Sequence, residues 1–130
     1  MNIISFSLWG KSQRYTLGAL QNVSLAKIVY PDWVCRFYVG TDTPDYIINL
    51  LSDFNNTEII KMNEEGSTAH GMFWRFRAAS DTDVSNLIVR DCDSRLWFRE
   101  SDAVKEWLAS DKDFHIMRDH EYHNTSILGG

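Results

Sequence analysis

Asn86-Leu87-Ile88-Val89-Arg90-Asp91-Cys92-Asp93 is an apolar run that ends on two carboxylates two residues apart. Leu87, Ile88 and Val89 suit a buried strand. Parallel sheets bind ligands beyond the carboxyl ends of their strands, so the position of Asp91 and Asp93 matters as much as their type. Carboxylate oxygens suit hard cations such as Mg²⁺ or Mn²⁺. A cation held there would neutralise a diphosphate. The other reading of the pair is a solvated turn.

Outward from that strand the chain alternates. Strands are expected over 3–8, 34–39 and 58–62, the second stopping at Gly40. A helix is expected over 15–30, where Leu17, Leu20, Ala26 and Ile28 are spaced as one face and Pro31 stops it. Pro44 opens a second helix bearing Ile47, Ile48, Leu50, Leu51 and Phe54. A polar loop over 63–71 leads to a helix over 72–79, then the strand over 87–89. A helix over 100–109 and a strand over 114–117 follow. This alternation predicts an α/β fold with a mainly parallel sheet flanked by helices, in a single domain over 1–130. Gly40-Thr41-Asp42, Asp91-Cys92-Asp93 and Arg118-Asp119-His120 then converge on one rim of the sheet. The tail Ile127-Leu128-Gly129-Gly130 reads as an element about to start, which points to a fragment of a longer protein.

Composition narrows the classes. The chain has 130 residues, 44% of them hydrophobic, enough for a packed core. Its net charge of −5 argues against a nucleic-acid partner. No apolar run reaches the length of a membrane span. The N-terminus lacks the basic start and cleavage site of a signal peptide. Cys35 and Cys92 form neither a disulfide framework nor a C-x-x-C motif, and a cytoplasmic setting is the simplest reading.

Further clusters carry candidate chemistry. Arg90 and Arg95 flank the acidic pair and suit either phosphate or the aspartates themselves. Trp74-Arg75-Phe76-Arg77 combines aromatic and basic residues. Two residues apart on a helix, Arg75 and Arg77 cannot face the same way. His120 and His123 are candidates to complete a metal shell with Asp91 and Asp93. Asp119 is the candidate general base for an acceptor hydroxyl. A solvated loop is the alternative for all three, and His70 and His115 read as structural. There is no P-loop, no G-x-G-x-x-G after the first strand, no G-x-S-x-G and no H-E-x-x-H.

Six stretches together resemble the GT-A type glycosyltransferases of surface and capsular polysaccharide loci and of large viruses. They are Ile4 to Gly10, Gly18 to Asn22, Tyr30 to Trp33 with Arg36-Phe37-Tyr38, Gly71 to Phe76, Asp91 to Arg95, and Phe114 to His120. The resemblance implies a nucleotide-sugar donor (a UDP-, GDP- or dTDP-sugar) and a glycan acceptor. It implies that Phe6, Ser7, Leu8 and Trp9 hold the base and ribose. It implies that Asp91 and Asp93 form a D-x-D motif for Mn²⁺ or Mg²⁺ and the diphosphate, with Arg75 and Arg95 near the donor. The loop over 118–123 would border sugar and acceptor, although Glu121 stands where similar sequences carry proline. Such domains usually extend well beyond this length, so the resemblance covers a C-terminally truncated form. A homo-oligomer formed through apolar surface is a further expectation. A sugar nucleotidyltransferase and a non-catalytic donor-binding module are the competing readings.

Overall fold

A computed structural model describes residues 1–67, 69–118 and 120–126. Four strands form one sheet: β1 (Asn2–Leu8), β2 (Val34–Val39), β3 (Thr57–Lys61) and β4 (Asn86–Val89). Every pairing is parallel, and the spatial order is β3-β2-β1-β4. The α/β expectation therefore holds. From β1 the chain steps outward to β2 and β3, then crosses back past β1 to place β4 on its other side. The crossing direction changes between β1 and β4, and there a parallel sheet opens a crevice at its carboxyl edge.

Side-chain alternation divides the sheet into two faces. On one face Ile4, Phe6, Leu8, Cys35, Phe37 and Val39 meet α1 (Gln13–Val29) and α2 (Asp45–Ser52). The paired residues Phe6 and Phe37 stack with centroids 4.8 Å apart. Ala19, Val23, Ala26 and Val29 recur at helical spacing and form the buried stripe of α1. The helix α4 (Phe98–Leu108) adds Val104 to this layer.

The opposite face is thinner and more polar. Ile3 and Tyr38 pack with Met62, Trp74 and Ala78. Here β1 also presents Ser5 and Ser7, both buried. Ser5 Oγ donates to the Arg75 carbonyl at 2.7 Å, and the Arg75 N–H donates to Ser7 Oγ at 3.0 Å. Two hydroxyls of the central strand thus pin one residue of the covering layer. At that residue the expected helix over 72–79 changes character. A short α3 (Gly71–Trp74) passes into a 3₁₀ turn over Arg75–Ser80.

The expected strand over 114–117 does not form. The sheet ends at β4, and a β-prone run without a partner strand makes no ladder. Phe114 is 87% exposed, so no apolar layer receives it. Arg118 and His120 consequently do not stand at a strand end, and among the described residues the rim is built by β1 to β4. Among the described residues no helix is long and apolar enough to cross a membrane.

Candidate functional site at the switch point

The chain leaves β4 through Arg90, whose N–H extends the ladder to the Ser5 carbonyl at 3.0 Å. Asp91-Cys92-Asp93 then turns beside the carboxyl end of β1. The buried Cys92 thiol points inward and donates to the Ser7 carbonyl at 3.3 Å. Burial, with the Asp91 charge beside it, pushes this thiol well above the ordinary range. Its sulfur lies inside the fold, away from solvent.

Helix α1 shapes the turn. The Asn22 side chain, buried in the apolar stripe, makes three hydrogen bonds to it. Its Nδ2 donates to the carbonyls of Cys92 at 3.3 Å and Ser94 at 2.7 Å, and its Oδ1 accepts from the Leu96 N–H at 3.1 Å. One turn earlier, Gly18 lets the backbones touch: a Cβ there would lie 2.1 Å from the Cys92 carbonyl oxygen. Such closeness needs a residue with no side chain. Arg95 faces back onto α1, with Nε donating to Gln21 Oε1 at 2.6 Å and Nη1 to the Cys92 carbonyl at 3.2 Å.

The two carboxylates are held from opposite layers. Asp93 pairs with Arg14, in the first turn of α1, at 2.6 Å. Asp91 pairs with Arg75, whose Nη1 also donates to the Arg90 carbonyl at 3.2 Å. The Arg75 side chain is only 5% exposed, whereas Asp91 is 40% and Asp93 19% exposed. Both acids therefore keep access to solvent, beside a buried guanidinium. The Nε of Arg75 is buried with no hydrogen-bond partner among the described residues. Behind the turn, Arg90 pairs with Glu100 of α4, which accepts from the Tyr30 hydroxyl at 3.1 Å.

The other expected site residues are placed as follows. Phe6 and Leu8 are buried in the core and present no side-chain surface to a ligand. Ser7 is occupied with Arg75. Trp9 is half-buried: its indole meets Trp74 edge-on at 6.1 Å, and the backbone at Gly66 lies against it, where a Cβ would be 1.9 Å from the ring. His120 and His123 lie with ring centroids 5.4 Å apart, and His120 Nδ1 accepts from the Tyr122 N–H at 3.2 Å. Asp119 lies outside the described residues. Among those residues no three His, Cys, Asp or Glu side chains converge as a metal cluster, so the histidines do not join the aspartates.

Residue type and spacing did not single out Arg14 or Asn22. A signal existed for Asn22: a polar residue in the apolar stripe of Ala19, Val23 and Ala26, one turn from a mid-helix glycine. Both features are unfavourable in a buried helix unless something docks against them. Cavities of about 290 and 430 Å³ lie elsewhere, the first bounded by Glu64, His70 and Trp74, the second by Lys27, Trp33 and Asn56. Compared with known proteins, the chain matches no protein-family model and no curated protein.

Proposed function

We propose that this chain is a GT-A type glycosyltransferase domain that binds a nucleotide-sugar donor through a divalent cation at Asp91 and Asp93. One observation carries the reading. The acidic turn stands at the β1–β4 switch point with Arg14, in the first turn of α1, 2.6 Å from Asp93. Two carboxylates, each paired with a guanidinium, stand together at this edge, one of the arginines in the first turn of α1. That set suits a cation-bound diphosphate.

The residues present fit Mg²⁺ or Mn²⁺. Such ions are held by one or two carboxylates, with phosphate oxygens and waters completing the shell, so a third protein ligand is not required. Asp91 Oδ1 and Asp93 Oδ2 engage the arginines, and each carboxylate keeps its other oxygen for a cation. When bound, the ion would act as a Lewis acid for charge developing on the departing nucleoside diphosphate. Asn22 and Gly18 fix the turn that presents the carboxylates. Ser5 and Ser7 fix Arg75 beneath it. Gly10, at φ +72°, turns the chain from β1 toward the start of α1. Orientation of an acceptor hydroxyl would supply the remaining advantage. A glycan acceptor, a cytoplasmic location and self-association belong to the same proposal, as does Asp119 acting as base.

Isothermal titration of UDP, GDP and dTDP, with Mn²⁺ and then with EDTA, tests the reading. One nucleotide should bind only with metal, and Asp91→Asn or Asp93→Asn should abolish that binding. A folded sample that binds no nucleotide under either condition overturns it. Metal-dependent binding without sugar transfer leaves a donor-binding module. Pyrophosphate release from a nucleoside triphosphate and a sugar phosphate identifies a nucleotidyltransferase.

A further inference from the structure

We infer that the cavity at the amino edge of the sheet is a saccharide-binding site separate from the acidic turn. The inference goes beyond the function proposed above and needs neither the metal nor the nucleotide. The cavity, of about 430 Å³, lies where α1 has ended and β2 and β3 begin. Small-molecule sites commonly occupy about 300–1,000 Å³. All four strands run parallel, so this edge is opposite the one that carries Asp91 and Asp93. The six residues of β2, at about 3.3 Å each, put about 20 Å between the two edges.

The lining mixes carbon surface with hydrogen-bonding groups. Pro31 and Trp33 supply the carbon surface. Trp33 is a fixed wall: it is buried, its ring meets Tyr30 edge-on at 5.6 Å, and the Tyr30 hydroxyl donates to Glu100 at 3.1 Å. Lys27, Asp32, Asn55 and Asn56 supply donors and acceptors. Much of this capacity is unused. Asn56 Nδ2 donates to the Val23 carbonyl at 3.3 Å, but its Oδ1 is buried with no partner among the described residues. The neighbouring Thr57 Oγ1 is in the same state. Among the described residues the side chains of Asp32 and Asn55 make no hydrogen bond or ion pair, and the Lys27 ammonium meets only the Phe54 ring, 5.2 Å from its centroid.

These groups select the ligand. A buried acceptor without a donor is costly, so a molecule that brings O–H groups supplies what the free protein lacks. Lys27 and Asp32 cancel in formal charge, which disfavours a phosphate or another simple anion. The carboxylate and the two amides can each accept more than one hydroxyl proton. A pyranose has the matching character, with hydroxyls around its rim and C–H groups on its faces.

The test titrates ¹⁵N-labelled protein, in EDTA and without nucleotide, with the methyl glycosides of glucose, galactose, mannose and N-acetylglucosamine, and with glucuronate. At least one sugar should shift the amide resonances of Trp33, Asn55 and Asn56 saturably and leave those of Asp91 to Asp93 unmoved. The expected Kd is about millimolar, as for a small ligand with few contacts. Asp32→Ala and Asn55→Ala alter exposed side chains and should leave thermal unfolding unchanged. Each should weaken binding of that sugar at least about fivefold, the size expected for one lost hydrogen bond. No shift with any sugar, shifts with inorganic phosphate or glycine alone, or unchanged affinity in both variants overturns the inference. Metal-dependent nucleotide binding is read in a separate titration, so the donor site and the saccharide site can fail independently.

Discussion

Asn22 is the residue on which the shape of the acidic turn depends most. Its amide satisfies two carbonyls and one N–H of the segment following Asp91, and all three bonds are buried or partly buried. Asn22→Ala would strand these groups. Each buried polar group left without a partner costs about 1–3 kcal/mol. We expect urea unfolding to show a loss of about 2–4 kcal/mol, allowing for partial relaxation. Asn22→Asp separates geometry from size: it keeps an acceptor for Leu96 but turns a carboxylate oxygen toward two carbonyl oxygens. It should be at least as damaging as alanine. Gly18 gives the opposite of the usual helix expectation. Glycine to alanine inside a helix ordinarily gains about 1 kcal/mol. Here the new methyl would meet the Cys92 carbonyl at 2.1 Å, and backbone cannot rotate away as a side chain can. Gly18→Ala should therefore destabilise by about 1–3 kcal/mol and weaken nucleotide binding in the same preparation. A stabilised Gly18→Ala protein would show that the helix and turn do not press together as described.

At the scale of elements, β1 carries two functions on its two faces. Ile4, Phe6 and Leu8 anchor the main core, while Ser5 and Ser7 bind the backbone of Arg75. Ser7→Ala would leave the buried Arg75 N–H without its acceptor, a loss of about 1–3 kcal/mol. It would also loosen the guanidinium beneath Asp91, so metal-dependent nucleotide affinity should fall although the Ser7 hydroxyl is engaged with the Arg75 backbone. Normal affinity in a measurably destabilised Ser7→Ala protein would show that the anchor supports the fold alone. The same strand shows where sequence reasoning succeeds and where it stops. Strands β1 to β4 and the extents of helices α1, α2 and α4 were legible because apolar runs and the stops at Gly40 and Pro31 are local signals. The expected face of α1 was misplaced: Leu17 and Ile28 are exposed, and Ala19, Val23 and Val29 join Ala26 in the buried stripe. The acidic pair was legible because it directly follows such a run. The run over 114–117 has the same local character but no strand beside it, and pairing is not a local property. The period-two pattern of β1 assigns Phe6 and Leu8 to a core face, against the donor-contacting role that the resemblance implied for them. Asn22 and Arg14 meet the acidic turn across more than 70 positions of chain. A spacing rule cannot see such a contact, only the oddity of a polar side chain in an apolar stripe.

For the molecule as a whole, the two-layered cover leaves acids that ionise at high pH inside the fold, and this sets a direction for stability against pH. Burial pushes the Cys35 thiol from its ordinary value of 9.0 up to about 12. Burial also raises the Tyr30 hydroxyl, with the neighbouring Glu100 charge acting the same way. Tyr38 is raised by burial, although Arg36 opposes the shift. For each group the folded protein holds its proton more tightly than the unfolded chain does. The stability this contributes is complete below the unfolded value and is lost as pH rises toward the folded one. Unfolding free energy should therefore be level with respect to these groups up to about pH 9, then fall as unfolded thiols and phenols ionise first. Each group adds up to about 1.4 kcal/mol per pH unit to the slope. Urea midpoints at pH 7.5, 9.0 and 10.5 measure it, and Cys35→Val, close in volume to the thiol, should make the decline shallower by up to one such increment. Equal slopes in the two proteins would mean that Cys35 is not shielded by the sheet and helices that flank it. A native-state thiol assay offers an independent check. Both cysteines are buried, so neither should react at pH 8 until the chain unfolds, and the two should then react together. If Cys92 reacted ahead of Cys35 in the folded protein, the turn at Asp91 would be opening on its own, and the rigidity attributed to Asn22 would have to be reconsidered before the loss of any variant's binding was read as chemistry.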